Sequence, residues 1–316
     1  IYAIVVSLTN FLNNIISFVY AKRRIKFDFS KIEIKKYIKP LIAVLIISNV
    51  DLLYGQSDRV MLGKYVNDVS VTIYYTAYYL MATLASIPYA IINVSIPRLS
   101  YLLRNEGKKV YEEKLNNSIS SLLFIIVPMC LGVFVLSREA IILYAGKKYM
   151  AAIAPLMVAC ITRIFISLES VMNNLVMYPN DREDRILKVS LVCGISNLLI
   201  NYLLVLFKIF SPITALATTG LVELMVFIIH FIYAKKKMNI NVQVFSKKNI
   251  TYIILSLLFI PISFVIRKLN LGFYVTMTLI IIICVLLYFI VLFVKKDNNL
   301  IFIMNKFKNK LKVGKK

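Results

Sequence analysis

The chain has 316 residues, of which 60% are hydrophobic and 17% are charged, and its formal net charge is +23. The apolar content exceeds what the core of a water-soluble domain requires, and the apolar residues form uninterrupted runs with the lysines between them. This pattern excludes a soluble domain and a nucleic-acid-binding domain, which would carry its positive charge on one face. The four cysteines lack the CxxC spacing of a metal site, and no metal ion or cofactor is expected.

A helix that crosses a bilayer needs roughly 20 mainly apolar residues, and about nine segments of the chain meet this requirement. We therefore predict an all-α fold, a polytopic membrane bundle of about nine transmembrane helices. In chain order the predicted segments are residues 1–20, 41–65, 71–95, 118–136, 152–177, 186–207, 212–234, 250–266 and 271–294.

The basic residues are distributed unequally between the two sides of this bundle. Alternate connections, together with the C-terminal tail, hold 29 of the 38 Lys and Arg residues, whereas the remaining connections hold 8. Because cytoplasmic loops are enriched in Lys and Arg, the basic set is predicted to be cytoplasmic. We therefore expect a multi-pass protein with Ile1 on the outer side and a cytoplasmic C-terminal tail. If the intact protein starts in the cytoplasm, an odd number of spans must precede Ile1.

The second predicted segment carries the densest group of polar residues, namely Asn49, Asp51, Gln56, Asp58 and Arg59. Asp51 and Asp58 are seven residues apart, as are Asn49 and Gln56, so each pair shares one helical face. Charged side chains at membrane depth cost about 2.5 to 3.5 kcal/mol each, and those that remain usually face a cavity or a partner. We predict that this polar wall lines a substrate path. Asp58 and Arg59 have an alternative interpretation as solvated residues near the outer interface.

The fifth predicted segment carries Arg163, Glu169 and Asn173, which we also assign to the substrate path. Glu169 and Asn173 are i,i+4 neighbours, whereas Arg163 points to a different side of the helix. Two roles are open for Arg163: an interhelical ion pair with Asp51, or the attraction of an anionic substrate.

The sixth and seventh segments carry further polar residues. Asn197 and Asn201 share a face, and hydrogen bonding between helices is their expected role. Glu223 and Asp51 are the candidates for proton or ion coupling, because a buried carboxyl group is more easily protonated than an exposed one. His230 is expected at the cytoplasmic interface.

Motifs of soluble enzymes are absent from the sequence. The single His excludes HExxH, and the chain contains no P-loop, GxGxxG or GxSxG motif. No enzymatic activity and no catalytic residue are expected.

Three short elements resemble those of a known transporter family: SDRVMLG at 57–63, IYYTAY at 73–78 and IPRLS at 96–100. In bacterial polysaccharide-repeat flippases, a D-x-x-x-L-G element ends a helix, a Y-x-x-A-Y-like element opens the next, and P-R-L-S closes it at the cytoplasm. The chain resembles this family, which is the oligosaccharidyl-lipid branch of the superfamily that includes multidrug and toxin extrusion transporters.

The resemblance implies a transporter of twelve to fourteen helices in two six-helix lobes around a hydrated cavity, with this chain as its C-terminal part. Residues 1–39 would be the last helix of a truncated N-lobe and a basic cytoplasmic linker. Residues 40–234 would be the six-helix C-lobe, and residues 235–316 two additional helices and a basic cytoplasmic tail.

The function that the resemblance implies is translocation of a polyprenyl-diphosphate-linked oligosaccharide from the inner to the outer leaflet of the bacterial inner membrane, by alternating access, for surface polysaccharide assembly. The implied partners are membrane lipid, this lipid-linked substrate and polysaccharide assembly proteins, with no nucleic acid. A Na⁺- or H⁺-coupled multidrug exporter of the same superfamily is the alternative. A non-transporting membrane scaffold fits the composition but does not explain the polar wall around Asp51.

Overall fold

The computed structural model describes residues 2–24, 38 and 56–313, and every regular element in these ranges is a helix. The chain divides into two compact units, Ile1–Ile46 and Ile47–Lys316. In the first unit, helix α1 (Tyr2–Arg24) covers the first predicted span. Asn49 and Asp51 lie outside the described residues, together with most of the second predicted span.

The second unit is built from α-helices joined by short connections. In chain order they are α2 (Ser57–Tyr65), α3 (Asp68–Asn105), α4 (Lys108–Val135), α5 (Ser137–Tyr144), α6 (Ile153–Val171), α7 (Glu183–Leu206), α8 (Pro212–Lys236), α9 (Lys247–Leu257), α10 (Phe259–Lys268), α11 (Phe273–Val294) and α12 (Asn298–Val313).

Seven helical segments of the described chain, between Asp68 and Val294, are long and apolar enough to cross a bilayer. They correspond to the third through ninth predicted segments, with α9 and α10 forming the eighth together. The prediction of an all-α, polytopic membrane bundle is confirmed. The assignment of separate domains to residues 40–234 and 235–316 stays a prediction.

Helices α6 and α8 pack along each other more extensively than any other pair in the described part of the chain. A small residue makes this approach feasible, because a Cβ atom at Gly220 would lie 2.6 Å from the hydroxyl oxygen of Thr162. That hydroxyl donates a hydrogen bond to the carbonyl of Leu216 at 2.9 Å. Without a hydrophobic force between helices in lipid, such close packing and interhelical hydrogen bonds are the main sources of association.

The segment between α8 and α9, residues 237–246, is hydrogen-bonded to α4. The side chain of Asn116 donates to the carbonyl of Asn241 at 2.8 Å and accepts from the backbone N–H of Gln243 at 2.8 Å. Helix α9 then packs along α4, and α10 contacts α4 as well. The helices that follow α8 are therefore attached to the bundle through α4.

The fifth predicted span is not a single α-helix. Helix α6 passes into a π-helical turn, Met172–Met177, and then into a 3₁₀ turn, Tyr178–Asn180. The buried hydroxyl of Tyr111, on α4, donates to the carbonyl of Leu175 at 2.7 Å, and the Asn180 amide donates to a second carbonyl of the turn. A backbone carbonyl that is buried in a membrane protein needs a hydrogen-bond donor from the protein. The side chains of Tyr111 and Asn180 supply such donors to two carbonyls of the irregular turn.

Candidate functional site

A buried carboxylate, Asp58 on α2, lies where four helices meet, and its side chain is 0% exposed. One carboxylate oxygen accepts from the amide of Asn201 on α7 at 2.7 Å. The other accepts from the hydroxyls of Tyr74 on α3 at 3.1 Å and of Thr219 on α8 at 2.8 Å. All three donors are neutral, and no basic nitrogen of the described residues lies within 4.0 Å of Asp58.

Further amide and hydroxyl groups surround this carboxylate. The Asn201 side-chain oxygen accepts from the Thr218 hydroxyl at 2.7 Å. Asn197, one turn earlier on α7, is fully buried and lies beside Asp58. Carboxylate, amide and hydroxyl oxygens are the ligands that hard cations prefer. The cluster therefore contains oxygen atoms of the kind that ligate a cation, and its carboxylate can bind a proton instead.

The alternative interpretation of Asp58 as a solvated residue is wrong, and its position near the outer interface stays a prediction. The approach of α3, α7 and α8 removes it from solvent and replaces water with three protein donors. Arg59, the next residue, points elsewhere and is half-buried. Neighbouring side chains on a helix point in different directions. Asp58 and Arg59 therefore lie in different environments although they are adjacent in the sequence.

A row of tyrosines on α3 lies beside Arg59. The guanidinium carbon of Arg59 is 4.3 Å from the ring centre of Tyr75 and 5.5 Å from that of Tyr78. The rings of Tyr75 and Tyr79 are stacked with centres 4.2 Å apart. Gln56 accepts a hydrogen bond from Arg59 at 3.0 Å. Cation–π contacts at these distances stabilise a guanidinium without neutralising its charge.

Arg163 on α6 is a second cation at this aromatic row, and its side chain is only 6% exposed. Its guanidinium carbon lies 5.4 Å from the ring centre of Tyr78, so the same ring faces both Arg59 and Arg163. Tyr89 lies beside Arg163, and the Nε of Arg163 has no hydrogen-bond partner among the described residues. No described carboxylate lies within 4.0 Å of this guanidinium. The predicted ion pair with Asp51 stays a prediction, because Asp51 lies outside the described residues.

Glu169 and Asn173 are neighbours on one face, as predicted, and the Asn173 amide donates a hydrogen bond to the Glu169 carboxylate. Asn173 belongs to the π-helical turn, and its side-chain oxygen has no partner among the described residues. Single π-helical turns inside membrane and soluble helices frequently mark functional positions. The assignment of Gln56, Asp58, Arg59, Arg163, Glu169 and Asn173 to a substrate path stays a prediction.

Glu223 and His230 lie on α8. Glu223 is buried at the contact with α7, near Cys193. His230 is 0% exposed and lies near Arg185, and its expected place at the cytoplasmic interface stays a prediction. No group of three His, Cys, Asp or Glu residues in the described part of the chain is arranged to hold a metal ion.

The three sequence elements of the resemblance are structurally connected. Asp58 of the first element accepts a hydrogen bond from Tyr74 of the second. The third element, residues 96–100, lies on the same helix as Tyr74, about 35 Å along its axis at 1.5 Å per residue. The hydrocarbon core of a bilayer is about 30 Å thick, so this separation is long enough to span it.

Sequence reasoning missed several partners in these clusters. Tyr74, Thr218 and Thr219 complete the environment of Asp58, and Tyr78 and Tyr89 that of Arg163. A usable signal was present, because Asn197 and Asn201 share a face of one segment while Thr218 and Thr219 interrupt the next.

The chain is similar to a protein family and to solved structures. Residues 1–154 match the family model of polysaccharide biosynthesis proteins. No curated protein matches the chain significantly. Among solved structures, the chain is similar to the lipid II flippase MurJ in its inward closed conformation, with a TM-score of 0.63 and 16% sequence identity.

The similarity covers 87% of this chain and 57% of the flippase chain, so this chain spans less than two thirds of that protein's length. At 16% identity the match establishes the fold. The resemblance indicated by the three sequence elements is confirmed: the chain is a multi-pass membrane protein whose first 154 residues match the polysaccharide biosynthesis protein family and whose helices follow the fold of a lipid II flippase.

Proposed function

We propose that the chain is part of a flippase that moves a polyprenyl-diphosphate-linked oligosaccharide from the inner to the outer leaflet by alternating access. The observation that carries this proposal is Arg163, a buried cation on a membrane helix that contacts tyrosines and no described carboxylate. A charge at this depth is expensive, so its retention favours a role in transport. The family match and the fold support the same class of substrate.

The chemistry of the aromatic row suits such a head group. Guanidinium groups present several N–H donors in a planar fork that matches phosphate oxygens. Arg59 and Arg163 both lie within 5.5 Å of the centre of the Tyr78 ring. The neighbouring Tyr75 and Tyr79 are partly exposed, and their amphipathic side chains suit the mixed polar and apolar faces of sugars. We assign the diphosphate to the two arginines and the first sugar to the tyrosines.

We assign coupling of transport to a cation or a proton to Asp58. Its negative charge is met only by neutral donors in the described residues, and the amide of Asn197 lies beside it. Four helices converge on this carboxylate, so neutralising it changes the attraction among all four. Asp51 and Glu223 remain candidates for the same role. The transport itself requires no covalent chemistry, and we propose a location in the bacterial inner membrane with the lysine-rich side in the cytoplasm.

Replacement of Arg163 tests the proposed substrate contact. Arg163→Ala should reduce export of surface polysaccharide at least about tenfold, the loss expected when a single charged contact is removed. Arg163→Lys should restore part of the activity, because the charge is kept and the planar fork is lost. Arg104→Ala is the matched control, since Arg104 is exposed and pairs with Asp181 at 3.1 Å. Normal export by Arg163→Ala at wild-type protein level would contradict the assignment.

The substrate class separates the flippase from a drug exporter. Loss of a flippase should leave lipid-linked repeat units at the cytoplasmic face of the membrane. Loss of an exporter should instead raise drug sensitivity without such accumulation. Both measurements can be made on one deletion strain, and the second result alone would favour the exporter.

A further inference from the structure

An apolar groove of about 480 Å³ lies between α4 and α11, away from Asp58 and Arg163. Phe124, Pro128 and Gly132 line it from α4, and Cys284 and Tyr288 line it from α11. The groove is open along one side. Both helices are long and apolar enough to cross a bilayer, which places the apolar lining of the groove at the level of the lipid chains.

One end of the groove meets a second, polar cavity of about 370 Å³. Glu139 lines both cavities, and Arg138, Arg267 and Asn270 line only the polar one. Glu139 accepts two hydrogen bonds from Arg267, at 2.7 and 2.8 Å, so this pair is neutral overall. Arg138 is exposed and has no carboxylate within 4.0 Å among the described residues. The polar end therefore carries one uncompensated positive charge.

We propose that the groove and the polar cavity form one site for an anionic phospholipid, with an acyl chain in the groove and the phosphate at Arg138. The positive charge of Arg138 in the polar cavity selects an anionic head group. The apolar lining of the groove selects a lipid, which has an acyl chain, rather than a soluble anion. Arg138 and Arg267 lie in the lysine-poor connections, so the lipid belongs to the leaflet predicted to be the outer one. The bound lipid joins α4 to α11 where protein atoms leave a gap.

The test measures lipids that remain on the purified full-length protein after transfer from vesicles of equal phosphatidylglycerol and phosphatidylcholine content. Mass spectrometry should find phosphatidylglycerol in excess on the wild type. Arg138→Gln should lower that excess about fivefold, the effect of one basic residue on an anionic head group. Lys148→Gln is the matched control, because Lys148 is an exposed cation that lines neither cavity.

Gly132→Leu tests the apolar part of the site. A Cβ atom at Gly132 has no neighbour within 4 Å, and Gly132 lines the groove, so a leucine side chain there extends into the groove. This variant should fold normally and retain neither phospholipid.

Equal retention of the two phospholipids by the wild type, or an unchanged excess in Arg138→Gln, would overturn the proposal. Displacement of the phospholipid by a polyprenyl diphosphate in the wild type would also overturn it, because the groove would then hold the tail of a transported lipid. The assay involves no transport, so its outcome is independent of the proposed function.

Discussion

Two buried carboxylates of this protein, Asp58 and Glu139, are held in opposite ways. Glu139 is 3% exposed and accepts two hydrogen bonds from Arg267, which also donates to the carbonyl of Val135. Asp58 is 0% exposed and accepts three hydrogen bonds, all from neutral groups. The first carboxylate has a permanent counter-charge from the protein, and the second has none among the described residues.

The difference supports a structural role for Glu139 and the coupling role that we propose for Asp58. A buried charge with its own ion pair is satisfied in every state that keeps the pair together. A buried charge that has only dipoles around it depends on something that can arrive and leave, such as a proton or a cation. Glu139 joins α5 to the end of α10, whereas Asp58 can respond to its surroundings.

The largest expected effect comes from breaking the ion pair. Arg267→Gln leaves Glu139 buried without its partner and should lower the free energy of unfolding by about 3 kcal/mol, the low end for a buried pair, because Arg267 is one third exposed. Thermal unfolding in detergent measures the change. The neighbouring cation Lys268, which lies over the Phe264 ring, supplies the control Lys268→Gln. Substitution of Glu139 by Gln in the same chain should recover much of the loss, and equal stability of Arg267→Gln and wild type would refute the role of the pair.

The next effect concerns transport. Asp58→Asn keeps the size of the side chain and removes its charge, so the protein should fold and reach the membrane at normal levels. Its transport rate should fall about tenfold and lose its dependence on Na⁺ or pH, as expected when one of two linked sites is removed. Asp68→Asn, at the exposed start of α3, is the control. If Asp58→Asn responds to both ions as the wild type does, coupling lies at another residue.

The smallest effect is a dependence of stability on acid. Burial opposes the charged form of Glu139, but hydrogen bonds from Arg267 and its positive charge outweigh burial and hold the pKa of Glu139 below its usual value of 4.5. Because the pKa is lower in the folded state, the ion pair stabilises the protein fully above pH 4.5. The stabilisation is lost as the pH falls from that value through the folded pKa. Melting temperatures between pH 3 and 7 should decline at the acid end, and the decline should be smaller in Glu139→Gln.

The membrane bundle was predictable because its signal is strong at every position of a span. Long apolar runs admit few alternatives, and the seven helical segments between Asp68 and Val294 follow the predicted ones closely. The polar clusters were only partly predictable. Helical spacing correctly placed Glu169 beside Asn173 and placed Asn197 and Asn201 on one face.

Spacing along one helix cannot show which helix lies opposite. Spacing alone therefore left open a solvated Asp58, although Asn201 and Thr219, far away in sequence, bury it. The pair of Glu139 and Arg267 was missed for the same reason, because 128 residues separate its members. The sequence also does not mark the π-helical turn at Met172–Met177, since that turn contains neither Gly nor Pro.

The π-helical turn at Met172–Met177 affects how this chain aligns with related sequences. A π-helical turn accommodates one more residue than an α-helical turn over the same rise, so it corresponds to a single-residue insertion in a helix. A relative with a regular helix here would align with α6 up to Val171 and again from Tyr178 only across a one-residue gap. Without that gap, the register of Glu183–Leu206, including Asn197 and Asn201, would be displaced by one position, and equivalent side chains would be assigned to the wrong face.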